Sequence, residues 1–405
     1  EEIIARQQAL TAYQEQEDSK EDLARIPMLA REDIGREARK LINEETRIAD
    51  LPALRHTLFT NGIAYIRLVF SLDQIPERLY PYVGILSACL GLLNTANYSY
   101  GELSNEIDLN TGGIGTANNI YGNVENTDEY RATLDLKTKV LYANIDKAME
   151  LLQEIAMASD FTDEKRLLEI VSEGQSQMQS QMAARGDQTA LNRALAYGSV
   201  SGAVSETLSG IPYFRLLSRI QANFEEEKGA LIKALQELTV MIFRRENLMV
   251  DYVGADEGWE KLKAATERFV GALYTDPVDT GSFRPVPQRK QEGFMTAGQV
   301  LYVCRAGNFK KKGLPYKGTL RFLQVMMRYE YLWINLRVKG GAYGCQCSFG
   351  RSGESGFTSY RDPNLKNTVE VYEKAAETVE NFTADERTMT QYIIGAVSDM
   401  DTPMN

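Results

Sequence analysis

Two side chains able to grip a polarised carbonyl flank one glycine pair. In Trp333-Ile-Asn-Leu-Arg-Val-Lys-Gly-Gly-Ala-Tyr-Gly-Cys-Gln-Cys-Ser-Phe349, Arg337 precedes Gly340-Gly341 and Tyr343 follows it. A guanidinium donates through a planar fork of N–H groups and a phenol through a single O–H. Aimed at one point, they suit a peptide carbonyl oxygen that gains negative charge during hydrolysis. The plainer reading of the same residues is a turn whose Arg pairs with a surface carboxylate and whose Tyr belongs to the core.

The elements that must position this pair are legible on either side of it. Residues before the glycines follow a helical pattern, and those after alternate as a strand does. Paired glycines admit positive φ and close backbone approach, so a cation at a helix end and a phenol at a strand start can face one space.

Other chemistry is sparse. The single histidine, His56, lies in Leu-Arg-His-Thr-Leu just ahead of the first strand-like run and reads as structural. There is no H-E-x-x-H, H-x-x-E-H, G-x-S-x-G or nucleotide loop. Gly112-Gly-Ile-Gly115 and Gly340-Gly-Ala-Tyr-Gly344 miss the dinucleotide spacing and follow helices instead of strands. A Ser or Cys nucleophile lacks a partner base. Cys345 and Cys347 share one face of a strand and read, with Cys89 and Cys304, as small apolar residues; no metal ligands are assigned. Asp399 and Asp401 read as a helix C-terminal loop. The chain alone is expected to hydrolyse nothing.

Composition narrows the partners. A formal net charge of −11 disfavours nucleic acid or an anionic membrane surface and is compatible with basic peptides. Four scattered cysteines do not form a disulfide framework, which points to a reducing compartment. No apolar run approaches the ~20 residues that span a bilayer. The chain opens on Glu-Glu without a basic targeting segment, which says nothing of a longer parent; with the cysteine usage, a cytoplasmic location is expected, bacterial or in an organelle matrix. Because the last residues directly follow a helical pattern, a longer parent protein is expected.

With 405 residues the prior is two domains. Residues 1–26 read as a charged helix or linker, with Ile3, Ile4, Leu10, Tyr13 and Leu23 on one face. Pro27 onward reads as an extended connector. Strands are expected at 63–70, after Gly112-Gly113, at 130–138 and at 247–253; helices at 82–93, 145–158, 257–273 and nearly throughout 165–243, broken at Gly210-Ile-Pro212. Residues 275–292, rich in Pro and Gly, read as a linker. The order then restarts: a strand at 298–304, a helix at 316–335, the glycine pair, a strand at 343–349 and a helix from Asn364-Leu365 to near Phe382, with Thr383-Ala-Asp-Glu386 capping the next.

Offsets identify this as an internal repeat. Asn144-Ile145 matches Asn364-Leu365 (364 − 144 = 220), Phe161-Thr162 matches Phe382-Thr383 (382 − 161 = 221), and the glycine pairs differ by 340 − 112 = 228. The expected architecture is α/β (α+β): two tandem homologous domains, 27–274 and 293–405, each a mostly antiparallel sheet covered by helices, the second cut short. At the glycine offset Leu109 stands opposite Arg337 and Gly115 opposite Tyr343. The first copy lacks both groups, which favours a specialised site in the second.

These residues carry a family resemblance. Leu336-Arg-Val-Lys-Gly-Gly-Ala-Tyr-Gly344, with His56 to Tyr65, Arg305-Ala-Gly-Asn-Phe309, Tyr331-Leu-Trp-Ile-Asn335 and Ser398-Asp-Met-Asp-Thr-Pro403, resembles the C-terminal half of pitrilysin- and insulinase-type zinc metallopeptidases of the presequence protease subfamily. The resemblance spans nearly the whole chain and includes the N-terminal helix, similar to the family's hinge. It implies four domains descended from one unit, with two halves closing around a chamber for short, unfolded peptides. It further implies zinc held by an H-x-x-E-H motif in the N-terminal half, with Arg337 and Tyr343 lent from this half as catalytic, substrate-binding residues on the scissile carbonyl. The implied partners are peptide substrates and the N-terminal half of the same polypeptide. The alternative is a non-catalytic scaffold or peptide-binding subunit of the same fold.

Overall fold

The run Ile63-Ala-Tyr-Ile-Arg-Leu-Val-Phe70 alternates residues that suit the two faces of a pleated sheet, and the fold is built on that alternation. In the computed structural model, which describes residues 2–398 and 400 apart from 17, 18, 36, 38 and 39, this run is β3 (Ile63–Ser71). It lies inside a six-stranded sheet with β1 (Glu44–Ile48), β2 (Leu51–Thr57), β4 (Ile114–Gly122), β5 (Tyr130–Leu141) and β6 (Leu248–Gly254), in the order β1-β2-β6-β3-β5-β4. Every pairing is antiparallel except β2 with β6.

One face of this sheet is apolar. Ala64, Ile66, Leu68 and Phe70 of β3 are at most 1% exposed, as are Leu134 and Leu136 of β5 and Val250 and Tyr252 of β6. Burying each such side chain contributes about 1.5–3 kcal/mol. The helices Ile145–Met157 and Asp256–Ala272 supply Leu151, Leu152, Trp259, Leu262 and Phe269 to the same core. Phe243, past the end of the helix Phe224–Ile242, meets Phe70 edge-on at 5.0 Å. The opposite face is polar. Arg67 Nε donates to Asp135 Oδ2 at 2.6 Å, Asn119 Nδ2 donates to the same oxygen at 2.6 Å, and His56 Nε2 lies 3.1 Å from Asp251 Oδ1.

A second, three-stranded antiparallel sheet holds β7 (Cys304–Asn308), β8 (Gly344–Phe349) and β9 (Glu354–Tyr360), in the order β7-β9-β8. That order parallels β3-β5-β4 in the first sheet. Cys345 and Cys347 face the helical layer of Thr319–Met326 and Met327–Val338, which buries Met326, Met327, Leu332 and Leu336. Mostly antiparallel sheets covered by helices are thus the architecture of this chain.

By density of contacts the chain divides into residues 40–381, which hold both sheets, and a unit of residues 1–39 with 382–405. In the latter, the helices Glu2–Glu15 and Lys20–Arg25 expose Ile3, Ile4, Leu10 and Tyr13; the Leu23 side chain lies outside the described residues. Arg31 Nε donates to Thr390 Oγ1 at 3.0 Å on the helix Glu386–Ser398. The reading of Asp399 and Asp401 falls outside the described residues.

Several local expectations are corrected. His56 sits within β2 instead of ahead of the first strand, because β1 and β2 form a hairpin whose few apolar residues, among them the buried Ile48, Leu51 and Ala53, are interleaved with polar ones and a proline. The strand expected at 298–304 is β7, starting at Cys304; before it only Leu301 bridges, to Asp362. Val303 is buried there, its N–H donating to Ser359 Oγ at 3.2 Å and its carbonyl accepting from Ser359 N–H at 2.9 Å and Tyr372 Oη at 3.1 Å. Residues 165–243 form five helices, broken also near Arg185, 196–199 and Asn223. The helix of 82–93 is shorter, Val83–Cys89. The helix from Lys366 is interrupted at Lys374 before Ala375–Glu380. Strand β9 had no apolar pattern to reveal it. The helix expected at 316–335 runs from Thr319 and continues to Val338 with its last twelve residues widened to π geometry.

Candidate functional site

The widened helix delivers Arg337 to its last turn. Lys339 N–H reaches the Ile334 carbonyl five residues back at 3.0 Å, the signature of π winding, which often marks functional sites. Gly341 then adopts a left-handed conformation, φ +77°, and its N–H returns to the Arg337 carbonyl at 3.0 Å while Ala342 N–H reaches Leu336 at 2.9 Å. These bonds satisfy carbonyls left open at the helix end. Gly340 is required by space: a Cβ there would lie 2.6 Å from the Leu336 carbonyl oxygen and 2.9 Å from that of Asn335. Asn364 Nδ2 holds the outer side of the turn, donating to Gly340 O at 2.6 Å.

Tyr343 leaves the turn and enters β8. Its N–H bonds the Tyr360 carbonyl on β9 at 3.0 Å, and its ring meets the Tyr360 ring edge-on at 6.0 Å. The side chain is 65% exposed. The core role considered for Tyr343 is therefore not what the structure shows.

Arg337 and Tyr343 come together. Arg337 Nη1 donates to the main-chain oxygen of Tyr343 at 2.7 Å, and the guanidinium carbon lies 5.4 Å from the Tyr343 ring centre. The guanidinium also lies over the Trp333 ring, 4.2 Å from its centre. Among the described residues Arg337 has no salt bridge, so the surface ion pair considered for it does not form. The Tyr343 hydroxyl likewise has no hydrogen bond among them. The arrangement offers a charged, planar N–H fork and a free phenol from one rigid turn, donors suited to an oxygen carrying partial or full negative charge.

Below the turn, burial pushes the Cys345 thiol up to about 11, against the guanidiniums of Arg328 and Arg337, and the Cys347 thiol up to about 12. These thiols stay protonated and apolar at neutral pH. His56 is elsewhere, on the first sheet: Nδ1 lies 2.8 Å from the Ile42 carbonyl and Nε2 faces Asp251, a tie between chain segments. Among the described residues no group of three His, Cys, Asp or Glu gathers as a metal site.

Trp333 was missed by the reading of residue chemistry. Its spacing was the available signal, since a residue four places before Arg337 on a helix lies on the same face.

The equivalent turn in the first sheet's unit has the same frame without the chemistry. Gly113 is left-handed at φ +109°, the helix Tyr100–Asn110 precedes it and β4 follows it. Leu109 there is 78% exposed, and Gly115 carries no side chain.

Comparison with known proteins shows the family of the chain. A family model described as the associated domain of peptidase M16, subfamily C, matches residues 1–220, and one described as "PreP C-terminal domain" matches residues 291–405. The chain is 36% identical over 404 residues to a protein named HypA from Clostridium perfringens, covering 100% of this chain and 41% of that one. It is 27% identical over 405 residues to presequence protease 1, chloroplastic/mitochondrial, from Arabidopsis thaliana, covering 99% and 37%. The chain thus spans about two fifths of the length of these relatives. In fold it is similar to a solved structure described as a peptidase M16 inactive domain from Pseudomonas fluorescens, with TM-score 0.58, 13% identity, and coverage of 91% of this chain and 84% of that one. The periplasmic protease PqqL from Escherichia coli gives TM-score 0.56 at 12% identity, covering 94% and 43%.

Proposed function

Because the chain belongs to the family of domains associated with peptidase M16, subfamily C, as a C-terminal half of the presequence protease type, we propose that it works within a peptide-degrading endopeptidase. In this reading Arg337 and Tyr343 bind the carbonyl of the bond being cut. The observation that carries it is the Arg337 guanidinium, which has no salt bridge among the described residues and lies 5.4 Å from the ring centre of Tyr343, whose hydroxyl has no hydrogen bond among them.

The chemistry follows from those donors. A peptide carbonyl accepts from the Tyr343 O–H and an Arg337 N–H in the ground state. As the carbonyl carbon becomes tetrahedral, its oxygen gains charge, and both bonds strengthen. A fixed turn costs little reorganisation at that moment. The zinc ion that the resemblance implies finds no fit among this chain's own residues, which include one histidine and, as described, no metal cluster. Its ligands would belong to the other half of the parent polypeptide, together with the rest of a chamber for short peptides. The two sheets are read as two copies of one unit, supported by the matching orders β3-β5-β4 and β7-β9-β8.

The test is Tyr343→Phe in the full-length protein, assayed on short unstructured peptides. Turnover should fall roughly tenfold to a thousandfold, the range for one oxyanion donor. The melting temperature should hold, because the hydroxyl contacts no described residue. Unchanged turnover would remove Tyr343 from the site. The competing reading is a non-catalytic, peptide-binding scaffold, in keeping with the solved relative described as an inactive domain. It expects binding of the same peptides without cleavage, and a parent with no H-x-x-E-H motif.

A further inference from the structure

We propose that Trp333 is the positioning residue of this site, holding Arg337 in place by its ring face so that the guanidinium is fixed without being neutralised. The inference rests on the carbonyl-binding reading above and adds the residue that makes it work.

An arginine on a surface turn has four rotatable side-chain bonds and is usually anchored by a carboxylate. Such an anchor would occupy the N–H fork and cancel the charge that an oxyanion needs. Arg337 is anchored differently. Its guanidinium lies 4.2 Å over Trp333, the shortest cation–ring distance among the described residues, and 5.4 Å from the ring centre of Tyr343. Trp is the strongest aromatic partner for a cation. A ring contact uses the face of the guanidinium, whereas its N–H groups point outward in the plane. Among the described residues only Nη1 is engaged, by the Tyr343 carbonyl at 2.7 Å, so the remaining N–H edges stay open toward them.

The frame around Trp333 fits this role. Tyr331 and Leu332 beside it are buried, with Tyr331 Oη donating to the Val371 carbonyl at 2.7 Å, which pins this part of the helix. Trp333 itself is half-buried and turned toward Arg337. The Tyr343 ring is in turn set against Tyr360. The cation therefore lies near two rings that come from different elements, one on the helix and one at the strand start.

The experiment measures kcat and KM of the full-length protein on a short peptide for Trp333→Leu, Trp333→Phe and Arg337→Met, and for each Trp333 change combined with Arg337→Met. Trp333→Leu keeps apolar bulk but has no π face, and should lower kcat roughly threefold to thirtyfold, the range of a partly desolvated cation–π contact, with KM within about twofold. Trp333→Phe should recover most of that loss. In the Arg337→Met background neither change should matter further.

Fluorinated tryptophan at position 333 keeps the shape while draining the π face, so kcat should fall stepwise with fluorination even if Trp333→Leu fails to fold. Equal losses in the wild-type and Arg337→Met backgrounds, or indifference to fluorination, would overturn the proposal. If Arg337→Met itself left kcat untouched, the carbonyl-binding reading would fail, an outcome distinct from failure of Trp333 alone.

Discussion

Gly341 and Gly113 hold the same left-handed conformation, φ +77° and +109°, in corresponding helix-to-strand turns of the two sheets. Only the turn at Gly341 is flanked by an arginine and a tyrosine. The two turns thus share a positive-φ glycine between a helix and a strand, and only the second carries that chemical equipment.

The neighbouring glycines make this distinction measurable. A Cβ at Gly340 would stand 2.6 Å from a main-chain oxygen, whereas one at Gly112 meets the flexible Lys139 side chain at 2.7 Å. Gly340→Ala should destabilise by about 2 kcal/mol or more, through forced backbone movement, and should also depress turnover by displacing Arg337. Gly112→Ala should stay within about 1 kcal/mol, since Lys139 can swing away. Paired thermal melts and peptide assays check both.

Arg337→Lys retains a charge but loses the planar fork and most of the ring stacking. Turnover should fall roughly tenfold to a hundredfold while stability changes by less than about 0.5 kcal/mol. A lysine variant with full turnover would show that charge alone suffices.

On the polar face of the larger sheet, Asp135 is 1% exposed and held by Arg67 and Asn119. Burial works against the Arg67 guanidinium, but Asp135, Tyr121 and Asp251 more than offset it and raise its proton affinity. Arg67→Met leaves a buried carboxylate without its cation and should cost about 3–5 kcal/mol, read from denaturant unfolding. Asp135→Asn with Arg67→Met should recover part of that loss, because the isolated charge is gone.

The thiols give a pH dependence of definite sign. Burial raises Cys345 to about 11 and Cys347 to about 12 from an ordinary value of 9.0. Above pH 9 the unfolded thiols lose their protons while the folded ones keep them. Stability from this source is fully present below pH 9 and is lost as pH rises toward 11–12. Cys347→Ala should flatten the alkaline fall in melting temperature. Alkylation of both thiols at neutral pH should be slow until the protein is unfolded.

How much was legible depended on where the signal resided. Ile63 to Phe70 announced β3 because β-branched and aromatic residues alternate there. The β1–β2 hairpin and β9 were not announced. Their apolar residues are few and scattered among polar ones, and their strand conformation is imposed by partners: β2 by β6 across 195 positions of chain at Asp251 and His56, β9 by β7 and β8 on its two sides. In the same way Gly340-Gly341 marked the turn, and the residue types on either side marked its chemistry.

The amino-acid sequence by itself determined the elements whose cause is local: the amphipathic helices, the apolar strands, the glycine turn and its duplication, and the presence of Arg337 and Tyr343 beside one copy of it. Local patterns suffice there because propensity, capping and positive φ act within a few residues. Only the tertiary structure decided that the helix before the turn widens, that Trp333 rather than a carboxylate lies against Arg337, and that Tyr343 points outward with its hydroxyl free. Those outcomes depend on how β9 and the buried helix layer fix the turn from both sides, and packing between distant segments leaves no periodic trace in the chain.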